Sequence, residues 1–254
     1  SLGWEHARTD AERALFEVER TLFSDDWRGY PAKLDKALAD DACVPGNWIY
    51  QLGAHIGWNE PILKRLGTNL RCDPMSGVTR MSLIQTLVWS DDGEAALAVL
   101  NEGDALGVTI PFERTMRVIA MLAADRFAGE HDATTALPDG ALYAFDDRLL
   151  IAATRGDADR ARSLAEEYRA RPDAEDWSRM VAAAVTGDRA AANAAAARID
   201  ARPGGPFMLA IGSEMCFCGA PFDLEATPNF KARLQEASFT WPPRKPIEYP
   251  LKTW

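Results

Sequence analysis

Apolar residues return along this chain every three or four positions, and rarely every two. Leu149, Leu150 and Ala153 fall on one helical face, and so do Ala161, Leu164, Ala165 and Tyr168. That spacing matches the 3.6-residue turn of an α-helix. No segment sustains alternation with β-branched enrichment, so no strand is predicted. The helices come in pairs. First members are predicted at Trp4–Phe23, Gly46–Ile56, Ser76–Ser90, Pro111–Phe127, Ala141–Arg155, Ala174–Thr186 and Gly205–Phe217. Second members are predicted at Pro31–Asp40, Pro61–Leu66, Gly93–Glu102, His131–Leu137, Asp157–Ala170, Arg189–Ala201 and Pro228–Ala237. The His131–Leu137 segment has a poor helical composition. Thr227-Pro228 reads as a helix start, with a hydroxyl cap followed by Pro in the first turn.

The pairs repeat. "TRGDADRARSLAEEYRARP" is similar to "VTGDRAAANAAAARIDARP". The Gly-Asp steps stand at Gly156 and Gly187, and a proline follows each at the same distance, at Pro172 and Pro203. "LFSDDWRGYPAKLDKAL" is similar to "LVWSDDGEAALAVL". Candidate turn glycines at Gly57, Gly93, Gly129, Gly156, Gly187 and Gly219 recur at intervals that suit one helix pair each, with Trp27 in the equivalent place before Gly57. A Gly can take the positive φ needed where one helix stops, and a nearby Asp or Ser can cap the next. The Ala-rich second helix after Gly187 fits this plan. Ala190, Ala191, Ala194 and Ala197 recur at helical spacing, and side chains that small let helix axes approach closely.

A turn Gly, an Ala five residues on and a closing Pro resemble the tetratricopeptide motif. Gly93 is followed by Ala98, Gly156 by Ala161, Gly187 by Ala192, and Trp27 by Ala32. The consensus first-helix Trp and Gly are absent from most units, and Gly57, Gly129 and Gly219 are followed by Ile62, Thr134 and Leu224. The resemblance therefore implies an all-α, right-handed α-solenoid of about seven degenerate helix-turn-helix units over residues 1–238. The final unit, from Pro221, is also similar to terminal units of bacterial tetratricopeptide-like proteins, some of which follow a signalling or DNA-binding domain. The tail 239–254 holds Pro242, Pro243, Pro246 and Pro250 with Phe239, Trp241, Tyr249 and Trp254. It is expected to be extended and to cap the array; a motif for a proline-binding partner is the other reading.

The resemblance also implies a concave groove lined by first helices. Counting back from each turn Gly places Asn47, Gln51, Arg80, Arg126, Tyr143, Asp146 and Trp177 there. That mixture of Arg, aromatics and amides suits a protein or peptide partner. A different reading is a small-molecule pocket among Trp4, Trp27, Trp48, Trp58 and Trp89, although Trp at such density also serves core packing.

Charge narrows the partners. With 38 Asp+Glu against 28 Lys+Arg the chain is acidic, which disfavours a general affinity for nucleic acid or anionic membranes. No apolar run is long enough for a membrane span. The first residue is Ser rather than Met, which leaves room for a removed signal peptide or upstream domain and leaves the compartment open.

Candidate chemistry is sparse. Cys43 and Cys72 are the plausible disulfide pair among four cysteines, with free half-buried thiols as the alternative. Cys216 and Cys218 form half of a metal-site pattern, but no second close pair exists and His6, His55 and His131 are scattered. No metal or cofactor is expected. The pairs Asp25-Asp26, Asp40-Asp41 and Asp91-Asp92 sit at helix ends, where capping explains them; Asp146-Asp147 lies inside a helix. Without a phosphate-cradling Gly loop, HExxH or GxSxG, a non-enzymatic scaffold or adaptor is expected.

Overall fold

A computed structural model describes residues 9–24, 26–39, 43, 50, 52–53, 57–124, 144–154, 156–215 and 221–241. These residues contain twelve α-helices and no strand: α1 Asp10–Leu22, α2 Tyr30–Leu38, α3 Asn59–Cys72, α4 Gly77–Trp89, α5 Gly93–Leu106, α6 Glu113–Ala123, α7 Ala144–Thr154, α8 Ala158–Ala170, α9 Asp176–Val185, α10 Arg189–Asp200, α11 Gly205–Met215 and α12 Pro228–Ala237. A 3₁₀ turn, Leu224–Ala226, precedes α12. The expected helices at Gly46–Ile56 and His131–Leu137 fall wholly or mostly outside the described residues.

One turn recurs with the same hydrogen bonds. At Gly156-Asp157 the Gly is left-handed at φ 74°, and Asp157 N–H donates to Ala152 C=O at 2.9 Å. At Gly187-Asp188 the Gly has φ 78°, and Asp188 N–H donates to Ala183 C=O at 2.8 Å. This is a Schellman helix end, and it satisfies carbonyls that the helix leaves open. Asp157 and Asp188 then cap α8 and α10 by accepting from Arg160 N–H and Ala191 N–H.

The same turn appears before α5, but not at the expected residue. The left-handed position is Asp91, φ 65°, and Asp92 N–H donates to Leu87 C=O at 2.9 Å. Asp92 caps α5, and Gly93 is its first residue. The expected turn Gly is therefore two residues late. Asp tolerates the left-handed region better than most residues, so it can occupy a place usually held by Gly. The fifth residue after each turn follows the corrected register: Ile62, Ala96, Ala161 and Ala192 are all buried, whereas Ala98 is exposed. The first turn is likewise at Gly29, φ 71°, not Trp27; Leu34 is buried there and Ala32 is exposed. A contrast checks the register. Ala96→Met should lower unfolding free energy by about 1–3 kcal/mol by overpacking. Ala98→Met should change it by less than about 0.5 kcal/mol, both read from urea unfolding.

In α10 the buried stripe is Ala192, Ala195, Ala196 and Ile199; Ala192 packs with Ala183 and Ala184 of α9, the other three join a larger apolar cluster, and Ala190 and Ala194 face solvent. The small-residue contact is present, rotated from the expected positions because each residue turns the face by about 100°. α3 is longer than expected, reaching Cys72, with Ile62, Arg65, Leu66 and Asn69 as a buried stripe. α12 begins at Pro228 as expected, but its cap is not Thr227. Asp200, the last residue of α10, accepts from Asn229 N–H at 2.9 Å and Phe230 N–H at 2.7 Å. Thr227 instead donates to Leu224 C=O.

Helices pack in chain order. Every described neighbour from α1 to α12 touches the next, and α4–α6, α7–α9 and α10–α12 touch as well. Two contacts break that local order. The first helices α4 and α11 meet. The first hairpin also packs against the last unit. Phe23 lies 4.7 Å from Phe207 between ring centroids, Trp27 is 6.3 Å from Phe230 and 6.0 Å from Phe239, and Tyr30 is 5.4 Å from Phe239. Trp241 stacks on Phe222 at 5.7 Å and meets Phe230 edge-on at 4.9 Å. One apolar cluster thus joins Leu15, Val18 and Leu34 to Leu209, Phe230 and Leu234. Charges face each other across the same seam. A hydrogen bond from Arg28 holds the Asp26 carboxyl well below its usual range, and Arg233 of α12 adds to the effect. Among the described residues, the first hairpin and the last helices thus cover each other's apolar sides.

Candidate functional site

The expected groove can be followed at only some of its positions. Asn47, Gln51, Arg126 and Tyr143 lie outside the described residues, as do Trp4, Trp48, Cys216, Cys218 and residues 242–254. Asp146 lies on α7. Arg80 of α4 has a side chain only 1% exposed. Its guanidinium donates to the Pro74 carbonyl at 3.0 Å and pairs with Glu102 of α5 at 3.3 Å. Trp177 of α9 is half-buried, between the apolar cluster of α7–α9 and the cluster that joins the first hairpin to the last helices. Its ring fills the space over Gly212 of α11, where a Cβ would lie 2.6–2.8 Å from ring carbons. Arg80 and Trp177 therefore tie helices together. Trp27 and Trp89 are buried too, the former in the seam cluster.

Buried polar side chains concentrate on α3 and α4. Arg65, Thr68 and Asn69 of α3 are buried, with Thr79, Ser82, Gln85 and Thr86 of α4. Burial pushes the Tyr50 phenol up, and the nearby Arg65 charge and Asn69 side chain hold it back. The expected end of α3 at Leu66 left Thr68 and Asn69 outside the helix and so concealed their place beside Arg65. With the helix drawn to Cys72, Arg65 and Asn69 fall in register with Ile62 and Leu66, and an Arg or Asn on an otherwise apolar stripe is the signal that finds them.

A cleft of about 370 Å³ lies between the end of α10 and the start of α12, lined by Asp200, Arg202, Pro203, Pro206, Asn229 and Arg233 among others. Its charges are already engaged. Arg202 pairs with Asp176, Arg233 with Glu236 at 2.9 Å, and Asp200 caps α12.

The surface feature that stands apart is apolar. Six large hydrophobic side chains are exposed among the described residues. Phe23 and Met208 flank the seam. The other four, Met75, Val78, Leu106 and Phe112, belong to segments that meet at one edge. Met75 and Val78 bound the turn into α4, Leu106 ends α5, and Phe112 precedes α6. The α4 start packs directly on Thr109 and Ile110, where a Cβ on Gly77 would lie 3.1 Å from the Thr109 carbonyl carbon and 3.4 Å from Ile110 Cα. Arg80 ties Pro74 to Glu102 from beneath. Arg117 ties Asp104 at 2.7 Å to Glu113 at 3.4 Å. Phe112 has φ 53°, a left-handed conformation that costs a bulky residue about 1 kcal/mol or more. A partly exposed aromatic ring on such backbone, in segments that also carry three other exposed apolar side chains, is an arrangement that marks interaction sites more often than bare surface.

No described helix is long and apolar enough to cross a membrane. In comparison with known proteins, the chain matches no family model, no curated protein and no solved structure.

Proposed function

We propose that this chain is a non-enzymatic binding module for a protein or peptide, built as a degenerate tetratricopeptide-like array whose two ends have met. The reading rests on one observation: most of the large apolar side chains left exposed among the described residues lie in segments that meet at a single edge, at Met75, Val78, Leu106 and Phe112. The edge suits a partner segment carrying apolar side chains, because covering it removes that surface from water without requiring the array to open. The repeated Schellman turn with its Asp cap supports the tetratricopeptide-like part of the reading. The concave face is a weaker location, since α4 and α11 meet and Arg80 is buried beneath Glu102.

Affinity capture from cells that make the protein tests it. The native chain should recover a protein partner, and a Met75→Glu/Leu106→Glu variant should bind that partner roughly 30-fold more weakly, as loss of an interface hot spot predicts. Equal affinity in native and variant chains, with unchanged circular dichroism, would remove the edge from the account.

A further inference from the structure

We propose that the Cys43–Cys72 disulfide is a site of thiol–disulfide exchange with a dithiol, operating on the folded protein, and that it clamps the chain before α3 to the C-terminal end of that helix. The bridge joins two cysteines whose Cα atoms are 6.1 Å apart and whose sequence separation is 29. Cys72 is the last residue of α3.

The contacts of the preceding chain run down α3 in reverse order. Cys43 is bonded to Cys72, Tyr50 lies against Asn69 and Arg65, and Gly53 lies against Ile62. Numbers rise on one side as they fall on the other, so these described residues follow the helix antiparallel. The attachments differ in kind. At the inner end Tyr50, Leu52 and Ile62 are buried, and apolar burial holds them. At the outer end the attachment is covalent, and both Cys43 and Cys72 are exposed.

That exposure decides the chemistry. A disulfide is opened by a thiolate that reaches one of its sulfurs, so a buried bridge must wait for unfolding and an exposed one need not. The thiolate of a dithiol attacks one sulfur, the Cys43–Cys72 S–S bond breaks, and the displaced cysteine leaves as a thiolate. The second thiol of the reagent then attacks the mixed disulfide and releases the other cysteine. The dithiol ends as a disulfide, and Cys43 and Cys72 have gained two electrons and two protons. The outer end of the clamp is then free, while Tyr50 and Leu52 still hold the inner end.

Graded dithiothreitol without denaturant, followed by alkylation and peptide mass spectrometry, tests this. Cys43 and Cys72 should both become alkylated at reductant concentrations that leave the far-ultraviolet circular dichroism unchanged. Hydrogen exchange should accelerate in residues 69–76 and stay constant in α8–α10. A Cys43→Ser/Cys72→Ser variant should fold and show the same exchange pattern without reductant. Alkylation that appears only as the helical signal is lost would overturn the proposal. So would reduction that leaves exchange in residues 69–76 unchanged, since the bridge would then clamp nothing, or a double variant that fails to fold, since the bridge would then be a purely structural tie.

Discussion

Replacing Trp27 by Ala is expected to lower the unfolding free energy by about 3–5 kcal/mol, the usual cost of emptying a large aromatic site. Trp27 is 1% exposed, and its indole N–H donates to the Leu22 carbonyl at 3.3 Å. Its ring touches Phe230 of α12 and Phe239 beyond it, so it belongs to both ends of the chain at once. The loss should therefore travel. Hydrogen exchange should accelerate in α1 and α2 and also in α12, at the opposite end of the sequence, and should change little in α5 and α6. Acceleration confined to α1 and α2 would mean that the ends are not joined. In an open array each unit depends on its immediate neighbours, and such a distant response has no route.

Gly93→Ala is the second large effect, expected at about 2–3 kcal/mol of lost stability in urea unfolding. Two forces oppose each other here. Ala in place of Gly at a helical position gains up to about 1 kcal/mol in propensity. Against this, a Cβ on Gly93 would lie 2.6 Å from the Ala123 carbonyl carbon and 2.8 Å from Ala124 Cα, with the Ala124 amide nitrogen closer still. These are backbone atoms at the end of α6, which cannot rotate aside, and overpacking of this kind costs about 1–3 kcal/mol or more. The clash wins. A neutral or stabilising Gly93→Ala would show that α5 and α6 do not approach as described.

Gly93 also explains what could be read in the sequence and what could not. A glycine near the expected spacing looks like a turn residue, yet this one serves close helix approach, and Asp91 takes the left-handed turn. Counting the groove from Gly93 therefore misplaced that unit by two residues, about 200° around a helix. Arg80 consequently lies inside the array, against Pro74 and Glu102. Where the turn was identified correctly, at Gly156 and Gly187, the helices α8 and α10 begin within a residue of expectation. Helix periodicity is local and survives degeneracy, so most helices were legible from apolar spacing alone. The meeting of Phe23, Trp27 and Tyr30 with Phe207, Phe230 and Phe239 was not. Contacts between residues so far apart leave no period to detect, and each aromatic ring taken singly reads as ordinary core. The apolar edge was hidden for the same reason: Met75 and Val78 come from the α3–α4 turn, Leu106 and Phe112 from the α5–α6 connection, and the packing of α4 on Thr109 and Ile110 brings the two together.

The central claim is that the first hairpin and the last unit lie against each other within one molecule. A photo-activatable phenylalanine analogue in place of Phe23, which is 57% exposed and so tolerates the change, tests it most directly. Illumination of a dilute mixture of light and isotopically heavy chains should yield light–light and heavy–heavy cross-links from position 23 into α11 around Phe207. Cross-links confined to α1 and α2, or equally frequent between light and heavy chains, would contradict it.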